Sequence, residues 1–234
     1  MRFAILNSEK IETRRDHLRE VLEMDNWQVI HGILSDDAFT QLSTAYPPAH
    51  LFQRHENISR KHGQRPHNRL YLGIESRDVA SIARLDELND LDPAGIWKRF
   101  LEGIKTDSDY HKSVSSFLGV NKYQIRFAWH LTAPGEDVSP HLDSVRKLGT
   151  HIFYFNQRLE WRHDWGGETL ILNGKMTDRM SPEVMDFEKV KSIPIRKNRS
   201  LLFRNCDHCW HGVAPLRSPE DTYRKTFHII FERH

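Results

Sequence analysis

Gly149-Thr-His-Ile-Phe-Tyr-Phe-Asn156, Glu168-Thr-Leu-Ile-Leu172 and Ser200-Leu-Leu-Phe203 are short runs of β-branched, aromatic and aliphatic residues, each bounded by turn chemistry. Trp165-Gly-Gly167 precedes the second run, Asn173-Gly174 follows it, and Lys197-Asn-Arg199 precedes the third. With Tyr123 to Leu131, Val190 to Ile195 and Tyr223 to Phe231 they form a train of short strands from Lys122 onward, and such a train predicts a sandwich or barrel.

Upstream the character changes, and residues 1–120 read as mostly helical. Ser8 to Met24 is charged and lacks Gly and Pro, Pro93 to Ile104 and Ser108 to Leu118 suit two further helices, and Ser35-Asp-Asp37 is an N-cap signal before Ala38-Phe-Thr-Gln-Leu42. Trp27 to Leu34 reads as a strand. Between Pro47 and Asn68 the periodicity disappears and Arg54, Arg60, Lys61, Arg65, His55, His62 and His67 stand against one acid, Glu56. This stretch is expected to be a basic loop on the substrate side. Helices first and strands later predict an α+β fold, with N-terminal helices buttressing one sheet of a single 234-residue domain.

Hydrophobic residues make up 38 % and charged residues 28 % of the chain, the balance of a soluble globular protein. A formal charge of +2 argues against a dedicated nucleic-acid binder. No apolar run approaches the ~20 residues of a membrane helix, and Met1-Arg2-Phe3 turns charged too early for a secretory signal, so a cytoplasmic location is expected. The two cysteines, Cys206 and Cys209, are read as ordinary buried or lining residues. A zinc knot is set aside, since Cys206, His208, Cys209 and His211 crowd four ligands into six residues.

Ser139-Pro-His-Leu-Asp-Ser144 carries the chemistry. On an extended segment His141 and Asp143 leave one face and can share an ion, and Trp210-His211-Gly212-Val213 offers a second imidazole from across the barrel. Two imidazoles and one carboxylate on one face of a metal leave sites open, which suits non-haem iron that must also bind a co-substrate and oxygen.

The ordered series Tyr123–Leu131, His141-Leu-Asp143, Trp165-Gly-Gly-Glu-Thr-Leu-Ile-Leu172, Asn198–Phe203, Trp210-His211-Gly212-Val213 and Arg224 resembles the 2-oxoglutarate/iron(II) oxygenases, particularly the branch related to prolyl hydroxylases. The resemblance covers about residues 121–234, with a weaker echo at 27–45. It implies a double-stranded β-helix, or jelly-roll. It also implies Fe(II) on His141, Asp143 and His211, with 2-oxoglutarate and O2 consumed, succinate and CO2 released, and an unactivated carbon hydroxylated.

On the last strand Arg224, Thr226 and His228 share a face, opposite Tyr223, Lys225, Phe227, Ile229 and Phe231. An arginine on the polar face can take the far carboxylate of 2-oxoglutarate bidentately. The phrase Ile-Phe-Tyr-Phe-Asn is similar to the family strand whose tyrosine meets that carboxylate, which assigns Tyr154 to the cofactor, with Thr150 on the same face. Arg126 and His130 precede the iron ligands and, with Arg65 and Arg69 of the basic stretch, are candidate substrate contacts. His151, His163, His228 and His234 are expected in the surface or core.

Asp143 favours hydroxylation over chlorination, because the halogenase relatives lack that carboxylate. The position six after Arg224 is Ile230, which departs from the arginine pair of the nucleic-acid demethylases. A small, anionic molecule is the favoured substrate class, with a protein side chain as the alternative. A non-enzymatic or sugar-processing cupin jelly-roll is the reading from another class, and it leaves Arg224 unexplained.

Overall fold

A computed structural model describes residues 26–58, 65–74, 95–157 and 161–234. The expected helix at Ser8 to Met24, together with Arg60, Lys61 and His62, lies outside the described residues. Eleven strands and three α-helices are described, in two antiparallel sheets. The strands are β1 (Trp27–His31), β2 (Gln53–Ile58), β3 (His67–Ile74), β4 (Gln124–Thr132), β5 (Val138–His141), β6 (Lys147–Tyr154), β7 (Thr169–Lys175), β8 (Phe187–Ile193), β9 (Arg199–Arg204), β10 (Trp210–Val213) and β11 (Arg224–Glu232). The larger sheet runs β1-β9-β6-β11-β4-β3-β2 and the smaller one β5-β10-β7-β8. Facing sheets of this kind form the jelly-roll expected from the strand train.

The helices are α1 (Asp36–Thr44), α2 (Ile96–Thr106) and α3 (Ser108–Leu118). Each starts or stops where the sequence supplies a cap. Ser35 Oγ accepts from the Ala38 amide at 3.1 Å, Asp107 accepts from the Asp109 and Tyr110 amides, and α3 ends at Gly119 with φ 70°. The buried faces of α1 to α3 (Phe39, Leu42, Trp97, Phe100, Ile104, Tyr110 and Val114 among them) cover one side of the large sheet, against Phe127, Trp129, Phe153, Phe227, Ile229 and Phe231. Phe227, fully buried, sits within 5.0–5.6 Å of the rings of Trp129, Trp97 and Phe100. Burying such a side chain contributes about 1.5–3 kcal/mol, so this layer fixes which way β11 faces. Its other face must point between the sheets.

The described N-terminal half supplies three strands besides its three α-helices. It supplies β1 at one edge of the large sheet and β2 and β3 at the other. The basic stretch read as a loop is, over its described residues, largely this strand pair, with His55 opposite Arg69 and Gln53 opposite Tyr71. The periodicity was hidden because β2 is polar on both faces, with Gln53 and His55 on the cavity and Arg54 and Glu56 exposed; in β3, Leu70 and Leu72 pack under the helices while Arg69 and Tyr71 line the cavity.

Candidate active site

The cavity between the sheets measures about 700 Å³. His141, Asp143 and His211 line it from the small sheet and the turn after β5. His211 stands directly opposite His141 in the β5–β10 ladder, and Asp143 follows two residues beyond the end of β5. One ligand atom of each lies within 4.8 Å of the others. The His211 Nε2 to Asp143 Oδ2 distance is 3.8 Å, and the two imidazole centroids are 4.2 Å apart.

Backbone carbonyls orient both rings in the same way. His141 Nδ1 donates to Ser139 O at 3.0 Å and His211 Nδ1 donates to Cys209 O at 3.1 Å. A ring with its Nδ1 proton held by a carbonyl presents Nε2 as the lone-pair donor, the arrangement a metal ligand needs. Asp143 is held on one oxygen by Lys147, whose Nζ donates to Oδ1 at 2.7 Å. Burial pushes the Asp143 carboxyl up, but Lys147, His211 and His141 outweigh it and hold it well below the usual carboxylate range. Two imidazoles that present Nε2 and an ionised carboxylate on converging donors fit a divalent iron with open positions.

Arg224 is 3 % exposed and faces the same cavity. Its Nη2 donates to Thr169 Oγ1 at 2.9 Å, Thr169 shares a 2.7 Å hydrogen bond with the Tyr154 hydroxyl, and the guanidinium lies 5.5 Å from the Tyr154 ring centre. Its Nε, though buried, has no hydrogen-bond partner. Burial lowers the Arg224 pKa while Tyr154 and Tyr46 oppose the shift, leaving a desolvated cation without a bonded carboxylate. Thr169 completes this cluster and was missed in the sequence, since only the fold brings β7 to β11. Thr150 lines the cavity but is four residues, about 13 Å, along β6 from Tyr154, and sits opposite Ile230 rather than near Arg224. It is therefore outside the cluster to which the sequence assigned it.

Arg126, His130 and Arg69 also line the cavity. Arg126 donates to Tyr71 Oη and to Glu232, each at 3.0 Å. His130 stacks on His228, centroids 4.2 Å apart, and burial holds both imidazoles well below their ordinary pKa and hence neutral. Arg65 is exposed, turned away to Asp137 by hydrogen bonds of 2.9 and 2.7 Å, and does not line the cavity. His228, expected in the surface or core, is on the cavity wall, whereas His151 is a core residue bonded to Tyr110. The cysteines differ from expectation too: both are half-buried, and a disulfide joins Cys206 to Cys209.

Paired antiparallel sheets with convergent imidazole and carboxylate donors between them define a jelly-roll of the non-haem metal class. Residues 121–231, just under half of the chain, match the sequence profile of the 2OG-Fe(II) oxygenase superfamily, and this part of the chain carries that superfamily's signature. It is a 2-oxoglutarate-dependent dioxygenase using Fe(II) and O2. Solved structures of the same fold include a prolyl-4-hydroxylase from Pseudomonas putida (14 % identity, TM-score 0.52, covering 89 % of this chain and 92 % of that one). A second is a prolyl hydroxylase from Trichoplax adhaerens, solved with a peptide of the hypoxia inducible factor oxygen degradation domain (16 %, TM-score 0.53, 96 % and 88 %). A third is SnoN, a non-heme alpha ketoglutarate dependent epimerase from nogalamycin biosynthesis (11 %, TM-score 0.53, 88 % and 77 %). No curated protein sequence matches the chain.

Proposed function

We propose that this dioxygenase hydroxylates an unactivated carbon of a small molecule, with His141, Asp143 and His211 holding the iron and Arg224 anchoring the distal carboxylate of 2-oxoglutarate. The observation that carries the reading is that all four residues line one cavity, and that its volume of about 700 Å³ is of the size that encloses small ligands. Bound iron supplies the activation of O2 that is coupled to decarboxylation of 2-oxoglutarate. The residues around it bind and orient. Ser139 O and Cys209 O fix the two imidazoles, Lys147 fixes one oxygen of Asp143, and Thr169 and Tyr154 fix Arg224. His130 and His228, neutral and stacked, give the opposite wall hydrogen-bonding groups that do not compete for the metal's charge. Among the described residues no helix is long and apolar enough to cross a membrane.

The test begins anaerobically. Fe(II) and 2-oxoglutarate together should produce a visible charge-transfer band that neither gives alone. Admitting oxygen with a panel of metabolites should then give succinate in proportion to the substrate consumed. Failure to form the band would exclude chelation at this site. Succinate release stimulated by peptides and by no small molecule would move the substrate class to protein side chains.

A further inference from the structure

We propose that Arg69 forms a second anion subsite, and that the substrate carries a carboxylate or phosphate which Arg69 binds while Arg224 holds the co-substrate; this rests on the oxygenase reading above.

Strand alternation places the two arginines on one surface. Arg224 lies opposite Thr132 in the β11–β4 ladder, and Arg69 is one residue before Leu70, which pairs with Leu131. The two guanidiniums thus project from strands two ladder steps apart, roughly 10 Å at the Cα positions, into one cavity. They are held by different supports, Arg224 by Thr169 and Tyr154 and Arg69 by the Tyr71 ring, so they read as separate sites.

Arg69 is also the cation there that the protein leaves unanswered. Arg126 pairs with Glu232 at 3.0 Å, Lys147 pairs with Asp143 at 2.7 Å, and Arg146 is exposed to solvent. Arg69 has no ion pair and no hydrogen bond among the described residues, and its Nε is buried. A buried, unsatisfied donor is costly in a folded protein and signals a missing partner. His130 adds a second orphan, its Nε2, on the neighbouring strand.

The unsatisfied guanidinium is nevertheless held in position. Its centre lies 4.7 Å from the middle of the Tyr71 ring, and Tyr71 in turn meets His130 edge-on at 5.2 Å and accepts from Arg126. Gly73 makes this possible, because a Cβ there would collide with the Tyr71 ring. A guanidinium stacked on an aromatic face keeps its N–H edge available, and that edge matches carboxylate and phosphate geometry. Tyr71 therefore presents Arg69 to the cavity without neutralising it.

The experiment follows inorganic phosphate by 31P NMR against the full, metal-free chain. Wild type should show two saturable sites, with Arg69→Gln weakening one by about ten-fold or more and Arg224→Gln weakening the other. Arg69→Lys, which keeps the charge, should retain part of the affinity and so separates loss of an anion contact from misfolding. Competition with acetate and with methyl phosphate then identifies the source, and displacement from the Arg69 site by either supports the inference. No displacement by either, an Arg69→Gln protein that binds like wild type, or a single site abolished by both substitutions would overturn it. The Fe(II)/2-oxoglutarate band keeps the two readings apart: it should persist in Arg69→Gln and fade in Arg224→Gln. Its absence from wild type would sink the oxygenase reading, whatever the phosphate titration gave.

Discussion

His211 and His141 face each other across the β5–β10 ladder, with imidazole centroids 4.2 Å apart. That approach depends on the next residue. A Cβ on Gly212 would lie 2.7 Å from Val138 O, a main-chain atom that cannot swing aside. Gly212→Ala should push β5 outward and carry His141 with it, lowering iron affinity by roughly ten-fold while the outer helices keep the fold. Iron titration monitored by the 2-oxoglutarate band checks this, and unchanged affinity would show that the ladder tolerates the shift.

Lys147 holds one oxygen of Asp143 and leaves the other toward His211. Lys147→Met should free the carboxylate to rotate, weakening iron binding ten-fold or more at neutral pH. Asp143→Ala should abolish turnover outright. A Lys147→Met protein with tighter iron binding would mean that the ammonium competes with the metal rather than orienting its ligand.

Arg224 and Lys225 are neighbours on opposite faces of β11, one 3 % exposed beside the cavity and the other half-buried. Arg224→Ala removes a charge-assisted contact of about 1.5–3 kcal/mol and should weaken 2-oxoglutarate by ten-fold to over a hundred-fold. Lys225→Ala should leave the co-substrate KM nearly unchanged. The reverse ranking would place the anchor on the wrong face of the strand.

His151 is buried against Tyr110 and Phe153, and burial pulls its pKa from 6.5 to about 3. A depressed histidine pKa means that the unfolded chain takes up the proton first. Its contribution is complete above pH 6.5 and is lost progressively as the pH falls toward 3, by on the order of 5 kcal/mol at most. Urea unfolding of wild type at about pH 7.5, 6 and 5, the first above this window and the other two inside it, should show declining stability. His151→Gln should have a lower plateau and a shallower decline, since His130 and His228 retain the same sign. An identical slope in the variant would remove His151 from the account.

The Cys206–Cys209 disulfide closes the turn whose Cys209 carbonyl orients His211. Because the contact is made by main chain, Cys206→Ser with Cys209→Ser should keep both iron content and turnover. Loss of tightly bound zinc from the double variant would instead identify Cys206, His208 and Cys209 as a metal site.

How much of this was legible beforehand depends on the range of the signal. The faces of β11 could be read from alternation alone, because Arg224, Thr226 and His228 contrast with Phe227, Ile229 and Phe231 within nine residues. The three donors could be read from residue type and spacing. Lys147 and Thr169 could not, since each acquires its meaning from a partner outside its own strand, Asp143 across a turn and Arg224 across the cavity; Arg69 was a substrate candidate, but its support by the Tyr71 ring two residues along the same strand was not foreseen. The strand pair β2–β3 was missed for a related reason. Period-two patterning shows itself when one face is greasy and the other wet, and in β2 the inward Gln53 and His55 are matched by an equally polar exterior, Arg54 and Glu56.

The strand order of the large sheet also bears on synthesis. β11 is the final strand in chain order, yet it lies at the centre, between β6 and β4, while both edges come from the N-terminal half. On the ribosome β2, β3 and β4 can pair with one another, and β1 with β9 and β6, but these two halves of the sheet stay apart. β4 and β6 expose unpaired edges until β11 clears the exit tunnel and zips the halves together. Assembly is therefore dominated by pairings between distant parts of the chain, which makes it slow and open to aggregation. A nascent chain stalled before Arg224 should bind holdase chaperones, and release of the last ten or so residues should discharge them in a single step.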